Sequence, residues 1–140
     1  MKEFSPKTGK ELAIYLKEKL TTLFIRNNVN FAYLGGSWAE NRQYIWSDID
    51  IFISIPNFIN LNAREQLHFL TRLHIDATDL TGFEEIQIVI MENLPLHIQF
   101  EVLSNGILLF EKNRERRLNF IEKVLVRYED FMIWYRHFLK

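Results

Sequence analysis

Two aspartates spaced i, i+2 open an apolar run, Ser47-Asp48-Ile49-Asp50-Ile51-Phe52-Ile53, and a small-residue turn, Gly35-Gly36-Ser37, lies shortly before it. Side chains at i and i+2 on a strand share a face, about 7 Å apart at their Cα atoms. Asp48 and Asp50 can therefore converge on one or two Mg²⁺ ions, hard cations that take carboxylate oxygens. Gly35 and Gly36 let backbone N–H groups approach a phosphate closely, because no Cβ intervenes. Ser37 adds a hydroxyl donor to the same oxygens, and Arg42 stands beside the turn as a candidate triphosphate contact. A lone D-x-D or a lone Gly-Gly-Ser is ordinary. The combination is not, because two ionised carboxylates entering an apolar strand side by side are costly unless something cationic meets them. Such a site suits phosphoryl or nucleotidyl transfer.

The elements that would position these residues follow from periodicity and punctuation. Thr8-Gly9-Lys10-Glu11 reads as a capping box. Leu12, Leu16, Leu20, Leu23 and Phe24 then recur at helical spacing, which predicts a first helix running to about Asn27. Phe31–Leu34 is a short strand that runs straight into the glycines. Ile49, Ile51, Ile53 and Ile55 alternate with Asp48, Asp50, Phe52 and Ser54, so the isoleucines face inward and the acids lie on the opposite face. A second helix begins near Asn62 and turns Leu67, Leu70 and Leu73 inward. A third strand covers roughly Glu85–Met91. Pro95 opens a short helix that Asn105-Gly106 closes as a left-handed cap. A fourth strand spans Ile107–Phe110, and Arg114–Phe138 is one long helix. The expected fold is α+β, a small mixed sheet backed by helices. The expected organisation is a single domain over residues 1–140, with an N-terminal helix in 1–28, a core in 31–111 and a C-terminal helix in 112–140.

Composition narrows the function classes. Apolar residues make up 48% and charged residues 25% of the 140 residues, ordinary for a globular domain. There is no cysteine, so disulfide and thiolate chemistry are excluded. No apolar run approaches the roughly 18 residues that span a bilayer. The stretch Met1–Pro6 lacks the apolar core of a signal peptide, so a cytoplasmic location without membrane partners is expected. The four histidines, His68, His74, His97 and His137, show no metal-ligand spacing. Residues 1–111 hold nine basic against fourteen acidic side chains, whereas 112–140 hold eight against four. That basic tail is a candidate binding face, but the net charge of −1 argues against direct nucleic-acid recognition. Phe131, Trp134, Tyr135 and Phe138 fall at helical spacing and read as core, with any surplus available to a homo- or hetero-oligomeric interface.

The series Gly36-Ser37-x-Ala39, then Ser47-Asp48-x-Asp50, resembles the signature of the DNA polymerase beta-like nucleotidyltransferase superfamily. More narrowly, the chain is similar to the minimal nucleotidyltransferase antitoxins that pair with HEPN-type ribonuclease toxins. The segments Leu94–Leu96, Phe100–Leu103 and Gly106–Phe110 extend the resemblance, as do Arg117, Phe120, Tyr128 and Asp130. It implies a polymerase beta-like core with Mg²⁺ held by Asp48 and Asp50. Gly35, Gly36, Ser37, Arg42 and Ser47 would then bind nucleotide. The implied activity is transfer of AMP from ATP to a tyrosine of the toxin. Two positions depart from the pattern. Asn41 stands where the family has a second glycine, and asparagine tolerates a left-handed backbone. Gln87 falls where a third carboxylate is expected; its amide offers an oxygen to a cation but is a poor base. Glu85, two residues earlier on the same face, is the nearest substitute. The alternative implied by Gln87 is a lapsed enzyme that neutralises its partner by binding alone, docking through the basic, aromatic C-terminal helix.

Overall fold

The computed structural model describes residues 6–43 and 47–139. The leader reading, which rests on residues 1–6, lies almost wholly outside them. Helix α1 spans Gly9–Arg26, capped by the Thr8 hydroxyl, which accepts from the Glu11 N–H at 3.2 Å. The return half of the box is displaced by one residue, since the Glu11 carboxylate accepts from the Lys7 N–H at 3.1 Å. Strand β1 is Phe31–Gly35, and a single helical turn, α2, covers Gly36–Ala39. Strand β2 (Ile49–Ser54) precedes helix α3 (Ala63–Thr81), whose Asn62–Glu65 capping box closes in both directions. Strand β3 (Ile86–Ile90) leads to helix α4 (Leu96–Asn105), strand β4 (Ile107–Glu111) and the long helix α5 (Arg114–Phe138).

The four strands form one mixed sheet in the order β3-β2-β1-β4. β1 pairs antiparallel with β2 and with β4, while β2 and β3 run parallel. That parallel pair needs a crossover, which α3 supplies. The isoleucine alternation in β2 holds: Ile49, Ile51, Ile53 and Ile55 join Leu12, Leu16, Leu20, Leu23 and Phe24 of α1 in the main core. Each such fully buried large apolar side chain contributes about 1.5–3 kcal/mol. On the opposite face Phe31, Tyr33 and Phe52 pack with Met91 and Val102, and Phe120 of α5 closes over them. Helices therefore cover both faces of the sheet. Among the described residues no helix is long and apolar enough to cross a membrane.

Three local expectations are overturned. Leu67 faces solvent on α3, whereas Leu73 is buried and Leu70 half-buried, because the helix touches the sheet along a narrow stripe. Gly106 is extended (φ −74°, ψ 163°) rather than left-handed. Its glycine answers a close approach instead, since a Cβ there would lie 2.5 Å from the Val102 carbonyl oxygen and 3.1 Å from that of Leu34. Phe131, Trp134, Tyr135 and Phe138 are exposed rather than core, lying on α5 beyond its last ring contact with α4, Tyr128 on Phe100.

Glu92, just beyond β3, ties that strand's exit to the end of β2. It accepts from the buried Ser54 hydroxyl and from the Ile55 N–H. Burial pushes its carboxyl above the ordinary glutamate value, and the hydrogen bonds it accepts pull it partly back. The folded chain thus holds more protons here than the unfolded one just above pH 4.5, so this site's contribution to stability falls as pH rises through that window. Glu92→Gln keeps an acceptor oxygen but cannot ionise. The difference in thermal midpoint between Glu92→Gln and wild type should therefore shift in the variant's favour from mildly acid to neutral pH, and a pH-independent difference would refute the assignment.

Candidate functional site

The antiparallel register sets Gly35 opposite Asp50, and the parallel register sets Asp50 beside Gln87. Gly35, Asp50 and Gln87 thus form one row across three strands. Neighbouring strands lie about 4.8 Å apart and laterally paired residues share a face. Asp48 stands immediately before β2, two residues from Asp50, and is exposed where Asp50 is half-buried. The half-buried Glu85 precedes β3, where its carbonyl accepts from the Ile49 N–H at 2.9 Å. The two acids, Gln87 and the glycine turn are therefore gathered at one end of one sheet face.

The turn is shaped around Asp50. Gly36 has φ +65°, a left-handed backbone, and a Cβ added to it would sit 2.5 Å from Asp50 Oδ2. The carboxylate lies in the space that a side chain at position 36 would fill. Ser37 follows, half-buried in α2. The first amides of a helical turn have no intrahelical acceptor, so those after Gly35 are free to meet an anion. Asn41 is left-handed as expected, at φ 55°, and its side-chain oxygen accepts from the Gly9 N–H at 3.4 Å, tying the loop to α1. Trp38 is buried in the main core and holds the turn from beneath. Arg42 is exposed and ion-paired with Glu40 at 3.3 Å, an engagement that a bound anion would have to replace. Ser47 is half-buried directly before Asp48.

Burial, and after it the negative charge of Asp48, push the Asp50 carboxyl above its ordinary value. Both causes disfavour a second negative charge, and a cation between the two acids would reverse both. Among the described residues no group of three or more His, Cys, Asp or Glu side chains gathers to cage a metal. A pair of carboxylates instead matches Mg²⁺, which keeps waters and shares its coordination with substrate phosphates. The donor set and the raised Asp50 pKa thus fit that ion.

Sequence reasoning missed the wall of the site. A cleft of about 110 Å³ opens beside the turn, lined by Gly35, Gly36, Phe52 and Glu40 and by Glu101 and Asn105 of α4. Nothing in the local pattern marks Glu101. It reaches the cleft because α4 packs across β1. His74, by contrast, belongs to the sheet edge, where its Nε2 lies 3.2 Å from the Ile86 carbonyl oxygen.

The family model described as Polymerase beta, Nucleotidyltransferase matches residues 18–115. Among solved structures the fold is similar to a toxin–antitoxin complex with AMP-PNP, at 19% identity and a TM-score of 0.67 over 88% of this chain and 94% of that one. It is also similar to a complex of tri-AMPylated Shewanella oneidensis HEPN toxin with MNT antitoxin, at 17% identity and a TM-score of 0.63 over 91% and 95% of the two chains. A third is the MntA–HepT toxin–antitoxin, at 17% identity and a TM-score of 0.62 over 89% and 93%. At these identities the likeness establishes the fold. No curated protein matches the chain.

Gly36→Ala should cost about 1–2 kcal/mol of stability from the left-handed backbone alone, and should also displace the Asp50 carboxylate. Denaturant titration reads the first effect. A shifted NMR resonance of the Asp50 carboxyl carbon in a variant that still folds reads the second.

Proposed function

Because the chain belongs to the polymerase beta nucleotidyltransferase family, we propose that it is a Mg²⁺-dependent nucleotidyltransferase that acts as the antitoxin of a HEPN-type toxin. In this reading it transfers AMP from ATP to a tyrosine hydroxyl of that toxin, in the cytoplasm. The observation that carries the proposal is the carboxylate of Asp50 lodged against the Cβ-less Gly36, with Gln87 beside it in register. The likeness to toxin–antitoxin complexes, one of them of a tri-AMPylated HEPN toxin with MNT antitoxin, supports the choice of partner and of transferred group.

The roles follow from the geometry. Backbone N–H groups at Gly36 and Ser37, with the Ser37 hydroxyl, would hold the triphosphate, and Gly35 before them makes room for the Phe52 ring. Ser47 and Arg42 would flank the triphosphate, with Arg42 exchanging its Glu40 partner for phosphate. Asp48 and Asp50 would hold Mg²⁺, which neutralises phosphate charge and favours in-line displacement when bound. The tyrosine oxygen forms a bond to the α-phosphorus as the bond to pyrophosphate breaks, and the phenolic proton must leave. Gln87 can orient that hydroxyl but cannot take its proton, so Glu85, two residues earlier and about 7 Å away just before β3, would take it.

Gln87 also favours a second reading, a nucleotidyltransferase fold that has lost transfer and neutralises its partner by binding. Both readings are tested by incubating the chain with ATP, Mg²⁺ and its genomically adjacent partner, followed by intact mass. Gain of AMP on the partner, lost in Asp50→Asn, is the expected result. A stable complex with no added mass, and AMP transfer appearing only in Gln87→Asp, would select the second reading. Absence of both nucleotide binding and a complex would overturn the two together.

A further inference from the structure

Strand β3 is the outermost strand of the sheet, and among the described residues it pairs with β2 alone. The Ile49 N–H donates to the Glu85 carbonyl at 2.9 Å, and backbone groups alternate from there. Gln87 and Val89 turn theirs toward β2, whereas Ile86 and Ile88 turn theirs outward. The Ile86 carbonyl oxygen accordingly has His74 of α3 as its neighbour, with Nε2 at 3.2 Å. Beside this edge a groove of about 380 Å³ runs along α3, lined by Leu70, Thr71 and Ile75 together with Ile86 and Ile88. β3 carries neither a charge nor a proline, the usual devices by which an edge refuses a further strand. A backbone edge open to pairing, with an apolar groove beside it, fits one kind of occupant, an extended peptide.

The same edge adjoins the candidate site. Gly35, Asp50 and Gln87 make one row across β1, β2 and β3, and a strand added to β3 would place its own residue next in that row. Resting on the AMP-transfer reading above, we propose that the partner's acceptor segment docks here as a fifth strand, with the acceptor tyrosine opposite Gln87. Laterally paired residues share a face, so the tyrosine projects on the side that carries Asp50. Its two neighbours in the segment project to the other side, where the α3 groove takes an apolar residue. Two strand spacings, about 10 Å between Cα atoms, separate the tyrosine from Asp50. A tyrosine leaning back over Gln87 covers most of that gap, whereas serine or threonine is too short. The Gln87 amide then lies against the phenol and can hydrogen-bond its oxygen, which gives a neutral residue at this place a use. The substrate class is an extended, tyrosine-bearing segment with an apolar neighbour, rather than a tyrosine fixed within a folded element.

Amide hydrogen exchange on the full chain, alone and with its genomically adjacent partner, ATP and Mg²⁺, tests this docking mode. The expected result is slowing of the Ile88 amide by about tenfold or more in the complex, with Gln87 and Val89 already slow in the free chain. Ile88→Pro deletes the outward N–H and leaves the β2 ladder its donors. It should cut AMP transfer about tenfold, the worth of one lost hydrogen bond, with ATP binding unchanged. Thr71→Arg, at an exposed position of α3, fills the groove and should act likewise without touching β3. AMP transfer at the wild-type rate in both variants overturns the docking mode and leaves the transfer reading standing. So does transfer with no slowing at Ile88. A partner that gains no AMP overturns both. Slowing at Ile88 that needs no partner and grows with chain concentration places a second copy on the edge, and overturns the docking mode alone.

Discussion

The structure around the site turns on one steric fact, that the Asp50 carboxylate can lie where it does only because the residue facing it has no Cβ. Gly36 provides that space while bending the chain through a left-handed conformation. The bend ends β1 and starts α2, so the exit of the strand, the free amides of the next turn and the position of the acid are set together. Trp38 and the Asn41–Gly9 contact then hold the turn against α1. Desolvation of Asp50, with the neighbouring charge of Asp48, is the electrostatic cost of this arrangement.

Much of this was legible in the sequence, for identifiable reasons. Strong periodicity located α1, α3 and α5, and the strict alternation of isoleucines in β2 set which face carries the acids. The turn was readable because Gly36 and Asn41 are the residue types that accept positive φ. What escaped were facts of tertiary placement. Gly106 looked like a helix cap, but its reason is backbone from α4 and β1 crowding the same point. Leu67 fits the helical stripe by spacing, yet α3 meets the sheet too narrowly to cover it. The pairing of Arg42 with Glu40, two residues away in the loop, was not legible either. Glu101 could not be assigned to the cleft without knowing that α4 crosses β1.

The C-terminal helix shows how one amphipathic pattern can serve two ends. Arg117 anchors it by bridging Glu111 on β4 and the Tyr33 hydroxyl on β1, and burial there is offset by those two partners. From Phe131 onward the same stripe faces solvent, beyond the stacking of Tyr128 on Phe100 of α4. Spacing alone cannot separate these two halves. Only the extent of the helix it packs against does.

The row at the site is assembled unevenly. Gly35 and Asp50 sit on the two central strands, enclosed on both sides by neighbours, while Gln87 is on β3, the outermost strand, and is exposed. A change at position 36 disturbs a backbone bend and a packed carboxylate, and a change at position 50 leaves the turn without its counterpart. A change at position 87 disturbs neither core cluster. The fold therefore holds Gly36 and Asp50 under structural constraint and leaves position 87 under chemical constraint only. A lineage built on this scaffold can exchange carboxylate for amide there by single substitutions and keep its stability, so that chemistry and architecture drift at different rates.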